Sequence, residues 1–197
     1  MDQKSNGIDR FAAVPGRARF LEELADREAI RDCLWRYCRG IDRCDADLLH
    51  SAFWPDALDS HAVPGKPPRN AYAWIEKVVP RLYDFACTGH HLTNILIRID
   101  SDEAHVESYF WAVHQEERDG RMEDAHAVGR YLDRMECRDD EWRIAHRHVL
   151  IDWFRVGDVA SDRAKGLFGT PDENGDRGGK DYSSVFFATP GVESPSR

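Results

Sequence analysis

The apolar residues change their period once along the chain, near residue 87. Before that point Ile30, Leu34, Tyr37 and Ile41 recur at i, i+4, i+7 and i+11, one face of an α-helix. The pattern predicts a helix that starts at Phe20 and is closed by Gly40, a residue type common near helix C-termini. Asp45 then suits an N-cap, and Leu48, Leu49, Ala52 and Phe53 form the apolar side of a short second helix ended by Pro55. A short strand over 56–63 precedes a Pro- and Gly-rich loop at 64–68. A third helix begins near Asn70, with Trp74, Ile75, Val78, Leu82 and Phe85 as its buried stripe. Pro80 removes a backbone donor inside that helix and should kink or split it.

Beyond residue 87 the period becomes 2. Strands are expected over 90–99, 104–117, 122–138 and 142–156, joined by Asp100-Ser101-Asp102, Asp119-Gly120 and Asp139-Asp140. Long strands with short turns make an antiparallel meander. Helices first and a meander after predict an α+β fold, the sheet curling over the helices. The ends differ from this middle: residues 1–18 are polar and irregular and read as a loose arm before a domain over 19–156. Residues 157–180 hold six glycines, and Tyr182, Phe186 and Phe187 follow as an aromatic cluster. The stretch 157–197 is therefore read either as a tail pinned by its aromatic end, over a pocket mouth or a neighbouring subunit, or as a segment disordered beyond Gly166.

Composition narrows the partners. A chain of 197 residues with 42% hydrophobic residues is long enough for one domain with a sizeable core. Its net charge of −9 argues against nucleic acid or an anionic membrane as partner. No apolar run approaches the roughly 20 residues that span a bilayer, and no basic-then-apolar signal opens the chain. The five cysteines are odd in number and form no C-x-x-C pair, which suits reduced thiols in the cytoplasm.

The candidate chemistry lies where the period changes. The stretch Cys87-Thr-Gly-His-His-Leu-Thr-Asn94 places two imidazoles, His90 and His91, at the start of the strand-rich half. The end of the first helix, Tyr37-Cys-Arg-Gly-Ile-Asp42, offers an aspartate. A histidine at a strand start and an aspartate at a helix end can form a base and its orienting carboxylate. Neutral imidazole, with an ordinary pKa near 6.5, accepts a proton at physiological pH. His90 and His91 face opposite ways in an extended strand. Ile95, Ile97 and Ile99 share the parity of His91, a relation that a bulge would reverse. Plainer uses stand beside these: His90 capping the preceding helix, Asp42 capping the following turn, and Tyr37 as a core aromatic. On the last strand His146 and His148 form an H-x-H whose rings share one side, with Asp152 on the same face, a spacing able to hold zinc or iron but lacking a third histidine. No G-x-S-x-G, glycine-rich phosphate loop or dinucleotide fingerprint is present.

Five short motifs occur in order: Tyr37…Gly40-Ile-Asp42, Phe53-x-Pro55-Asp56, His90-x-x-x-Asn94, Ile99-Asp100-x-Asp102-x-Ala104 and Trp142-x-Ile144-x-x-Arg147. Together they resemble the SnoaL-like branch of the nuclear transport factor 2-like superfamily, over about residues 20–156. The resemblance implies a cone, a curved antiparallel sheet wrapped around the N-terminal helices and enclosing an apolar pocket. Relatives include dehydratases, a dehydrochlorinase, isomerases and polyketide cyclases, and also non-catalytic small subunits of ring dioxygenases, so the fold by itself does not decide function. The implied catalytic set is His90 as base, Asp42 as its orienting partner, Tyr37 as hydrogen-bond donor and Arg147 as stabiliser of the departing or enolising oxygen. Arg147 has a plainer use too, pairing with an acid on the sheet's outer face. Substrate contacts are expected from Trp74, Asn94, Phe110 and His148. No cofactor and no metal are expected. Tyr109, Trp111 and Val113 alternate with Phe110 and Ala112, leaving both faces of one strand apolar, and so a homo-oligomer, dimer or trimer, is expected on the outer face.

Overall fold

A long helix, α1 (Arg17–Arg43), carries the predicted stripe: Ile30, Leu34, Tyr37 and Ile41 are all buried. In the computed structural model, which describes residues 16–61, 67–159 and 175–188, α1 continues past Gly40 and stops only at Cys44, in the left-handed region with φ 54°. Gly40 serves a close approach instead of a cap. A Cβ there would meet Leu49 Cγ at 2.8 Å and the Leu49 backbone nitrogen at 3.0 Å, so the missing side chain lets the next helix cross close by. That helix, α2 (Ala46–Ala52), has the expected cap: the Asp45 carboxylate accepts from the Leu48 N–H at 2.9 Å.

The first strand, β1 (Phe53–His61), starts directly after α2, earlier than expected, and Pro55 lies within it instead of ending the helix. A two-residue strand, β2 (Arg69–Asn70), pairs with it and leads into α3 (Ala71–Leu82). The Asn70 side chain caps α3 by accepting from Ala73 N–H at 3.0 Å. Pro80 does not split α3, because the helix ends two residues later and little of it remains to be disrupted; Phe85 falls beyond its end.

The meander follows: β3 (Cys87–Asp100), β4 (Glu103–Arg118), β5 (Arg121–Arg138) and β6 (Glu141–Asp158), each antiparallel to the last. The turns use the residues that tolerate positive φ, as at Asp119 (53°) with Gly120 (76°) and at Asp139 with Asp140 (53° and 62°). β1 joins the free edge of β6 in parallel, so the six-stranded sheet, ordered β2-β1-β6-β5-β4-β3, is mixed and not wholly antiparallel. Periodicity marks a strand but does not give its partner's direction, which is why this was not foreseen. Register shifts at Leu92/Ile95, Val128/Gly129 and Arg134/Met135 mark bulges, which bend the strands and let the unclosed sheet curve over α1. The core fills the space between that concave face and the helices.

The segment 175–188 ends in a short helix, α4 (Tyr182–Ala188), lying against the C-terminal end of α1. Polar groups hold it: Asp181 pairs with Arg43 at 3.4 Å, Ser183 accepts from Arg39 at 3.1 Å, and Arg177 donates to the Leu82 carbonyl. The aromatic anchor is weaker than expected, since Tyr182, Phe186 and Phe187 are mostly exposed; the Arg39 guanidinium lies 5.0 Å from the Phe187 ring, and Phe186 stands edge-on to that ring. The expected arm over 1–18 gives up Arg17 and Ala18 to α1, and residues 1–15, 62–66, 160–174 and 189–197 lie outside the described residues. Among the described residues no helix is long and apolar enough to cross a membrane.

Candidate active site

The bulge in β3 decides which histidine faces inward. Thr88, His90 and Leu92 face α1; the register shift between Leu92 and Ile95 then brings Ile95, Ile97 and Ile99 onto the same concave face. His91 points the other way, is exposed, and has its Nδ1 3.3 Å from the Trp111 carbonyl. Across the sheet His90 is in register with Ala112, Ala127 and Phe154, so its nearest same-face neighbours on β4 and β5 are two small alanines.

The extension of α1 past Gly40 carries Asp42 to β3. Its Oδ1 lies 2.7 Å from His90 Nδ1, and its Oδ2 accepts from the His90 backbone N–H at 2.8 Å. A carboxylate only accepts, so Nδ1 carries a proton, and in the neutral form of the ring Nε2 keeps its lone pair. Two bonds to one residue fix the position of the strand as well as the orientation of the ring. Burial opposes the Asp42 charge, but the hydrogen bonds and charge of His90 outweigh it and hold the carboxyl below the usual range.

A third polar group in this corner escaped sequence reasoning. His114, in register with Thr88 on β4, stands edge-on to the His90 ring at 5.3 Å. Burial and the neighbouring His90 push its pKa down to about 4, so it stays neutral beside the pair. The signal was available: His114 follows Phe110 and Ala112 in the inward parity of β4.

Tyr37 is buried, its ring 6.5 Å from that of His90, and it packs edge-on against Phe53 and Tyr131. Burial pushes its hydroxyl up to about 12, with Arg147 opposing, so it remains a protonated donor. Arg147 is wholly buried with its guanidinium between the Tyr37 and Tyr131 rings, 4.0 and 4.1 Å from their centroids. Nε and Nη2 both donate to Asp133 at 2.7 Å. The acid that pairs with Arg147 is therefore on the inner face and not on the outer one. Nη1, on the other edge of the fork, has no hydrogen-bond partner among the described residues. Asp133 was also missed, although it has the inward parity of Tyr131 on β5.

The expected substrate contacts divide. Phe110 is buried and stacks on Tyr131 at 4.3 Å, and Trp74 lies on the buried face of α3, stacked on His61 at 4.5 Å. Asn94 is not brought to the site: it sits in the β3 bulge with its side chain exposed. His148 is likewise on the outer face, in register with Ser60, Leu132 and Glu107, because alternation along β6 turns it away whenever Arg147 faces in. His146 shares that outer face, its Nε2 3.0 Å from Ser60 Oγ, while Asp152 is held by Arg130. Among the described residues no three His, Cys, Asp or Glu side chains gather as metal ligands.

A neutral imidazole fixed by a carboxylate, beside a phenol and a buried guanidinium, can take a proton from carbon and stabilise the charge that develops on oxygen. The SnoaL-like domain profile matches residues 22–148 of the chain. Among solved structures the chain is similar to the Kfla4162 protein of Kribbella flavida (22% identity over 68% of this chain and 95% of that one, TM-score 0.62). It is similar to a protein of Novosphingobium aromaticivorans DSM 12444 provisionally assigned as a scytalone dehydratase (24%, 75% and 97%, TM-score 0.59). A third is the hexachlorocyclohexane dehydrochlorinase LinA-type3 of Novosphingobium barchaimii LL02 (20%, 77% and 99%, TM-score 0.58). At these identities the likeness is one of fold. No curated protein sequence matches the chain significantly.

Proposed function

Because the chain belongs to the SnoaL-like domain family, we propose that it is a cofactor-free lyase or isomerase acting on a cyclic, mostly apolar small molecule. The observation that carries this reading is the doubly bonded pair, His90 Nδ1 to Asp42 Oδ1 at 2.7 Å with the His90 N–H on Oδ2. His90 Nε2 removes a proton from carbon. Asp42 stabilises the imidazolium that forms. Tyr37 donates to the departing or enolising oxygen, and the unpartnered Nη1 of Arg147 supplies further positive charge. Phe110 and Trp74 supply apolar walls.

Scytalone and hexachlorocyclohexane, named in the similar structures, are the first compounds to assay. His90→Ala should lose roughly 10²–10⁴-fold in turnover with little change in affinity, since a base acts mainly in the transition state. Asp42→Asn should also slow turnover while the domain stays folded. Turnover that survives both His90→Ala and His91→Ala unchanged would sink the histidine mechanism. A non-catalytic binding module of the same fold would instead show no turnover in wild type and altered ligand affinity in His90→Ala.

The reading extends to assembly as a homo-oligomer. On the outer face Trp111, Val128 and Trp153 lie in one row of the sheet, and Tyr109, Trp111 and Trp153 are 39%, 49% and 52% exposed. Light scattering at micromolar concentration should give a dimer or trimer, and a 22.6 kDa particle would contradict it.

A further inference from the structure

A second histidine–aspartate pair lies on the same concave face, at the opposite side of the sheet from the first. Asp59 and His61 alternate with Leu58 and Ser60 along β1. Their register partners on β6 are Arg147 and Val149, so both side chains face inward. His61 Nδ1 is 2.6 Å from Asp59 Oδ1, and Arg69 Nε donates to Asp59 Oδ2 at 3.2 Å. Asp59 is 1% exposed, and its carboxyl is held below the usual range, since the bonds and charges of His61 and Arg69 outweigh its burial. The His61 ring lies flat on Trp74, with an interplanar angle of 23°. The arrangement repeats that of His90: a buried carboxylate holds Nδ1, packing holds the ring plane, and Nε2 has no hydrogen-bond partner among the described residues.

Its surroundings point to an oxygen-bearing ligand. The row that contains His61 continues through Val149 and Tyr131 to Ser108, and the row below it contains Asp59, Arg147 and Asp133. Two wholly buried polar groups in those rows, Arg147 Nη1 and Ser108 Oγ, have no partner among the described residues. Buried donors are almost always satisfied in a folded protein, and a ligand oxygen would satisfy them.

We propose that His61, oriented by Asp59, is a second proton-transfer group for the substrate that His90 serves, reaching it from the opposite side of the concave face to act at a ring substrate's oxygen. This rests on the reading of His90 as the base. In a dehydration, His90 Nε2 takes the proton from carbon and the C–H electron pair becomes the new C=C bond. The C–O bond breaks with its pair on oxygen, and that oxygen takes the Nε2 proton of protonated His61 and leaves as water. His90 ends protonated and His61 neutral, and exchange with solvent resets both. Groups on opposite sides of the substrate make the elimination anti.

The test uses the full chain labelled with ¹⁵N-histidine and 2-naphthol as probe, a planar ring carrying one hydroxyl. Saturation with 2-naphthol should shift the ring signals of both His61 and His90 and leave those of His105 and His126, on the outer face, where they are. His61→Gln should weaken 2-naphthol binding about tenfold, the usual effect of losing one hydrogen bond to an ionisable partner. A shift of His90 without His61 overturns the second pair and leaves the base intact. A shift of His61 without His90 overturns the shared substrate. No shift of either overturns both readings. If both rings shift but His61→Gln binds as tightly as wild type, His61 only braces Asp59 and Trp74, and the proposal falls.

Discussion

Arginine and aspartate meet twice between β5 and β6, once on each face of the sheet, with the same two-pronged geometry. On the concave face Arg147 grips Asp133 through Nε and Nη2, both at 2.7 Å, and both side chains are 0% exposed. On the outer face Arg130 grips Asp152 at 3.2 and 3.0 Å, the side chains 30% and 39% exposed. The fork is the same and the surroundings differ. Water screens the outer pair and replaces either partner easily, whereas the inner pair lost its hydration on folding. Burial opposes the Arg147 charge and Asp133 more than offsets it, holding the pKa above the ordinary arginine value. Such a pair is a weak source of net stability. What it provides is position: it locks the guanidinium between Tyr37 and Tyr131 and leaves Nη1 without a hydrogen-bond partner among the described residues. The outer pair positions nothing comparable.

The largest effect expected from this contrast is at Asp133. Asp133→Ala leaves a buried, unpaired guanidinium and should destabilise the domain by roughly 3–5 kcal/mol in urea unfolding. Replacing both partners, Arg147→Met with Asp133→Leu, should recover most of that loss while removing the buried cation. A single Asp133→Ala cost below about 1 kcal/mol would mean that the inner pair is wet.

Next comes acid sensitivity of the concave face. His114 has an ordinary pKa of 6.5 and is held at about 4 in the folded chain. The unfolded chain therefore binds the extra proton between these values, and stability falls as pH drops from about 6.5 to about 4. The contribution is on the order of 3 kcal/mol if the full shift is realised. The depressed carboxyls of Asp42 and Asp59 act later, as pH falls below about 3.8. His114→Phe should flatten the stability profile between pH 6.5 and 4 and leave the more acidic part. An unchanged profile in that variant would show that His114 does not carry this dependence.

Much of this inner face was legible in the sequence, and the missing parts share a cause. The helical stripe, the Asp45 cap, the start of a helix near Asn70, the meander and the Asp42–His90 contact follow from local periodicity and from motifs in order. His114, Asp133 and Asp59 sit at the correct parity on their strands, but parity names a face only once one residue on that strand is known to face inward. The β3 bulge shows the difficulty: it reverses the relation between His90 and Ile95, and nothing in Leu92-Thr-Asn-Ile95 announces it. The parallel pairing of β1 with β6 is a long-range choice, so the alignment of Asp59 with Arg147 was out of reach of any local pattern. Asn94 and His148 were assigned by motif position and adjacency, and the bulge and the alternation of β6 turned them outward.

The smallest effect should come from Asp152. Arg130 keeps a second acid, Glu107, at 3.7 Å, and its fork lies in solvent, so Asp152→Ala removes one screened contact and strands no charge. The urea midpoint should match wild type within measurement error, at low salt and at 0.5 M NaCl alike. Asp133→Ala, measured beside it, should stay destabilised at both salt concentrations, because ions do not enter a dry pair. The outcome also bears on assembly. If Asp152→Ala cost nearly as much as Asp133→Ala, and the loss grew with protein concentration, the outer fork would be covered in solution by a second copy, since dilution alone would restore its contact with water. If the loss were large and independent of concentration, the two faces would not differ in their access to water, and the contrast drawn between them would be wrong.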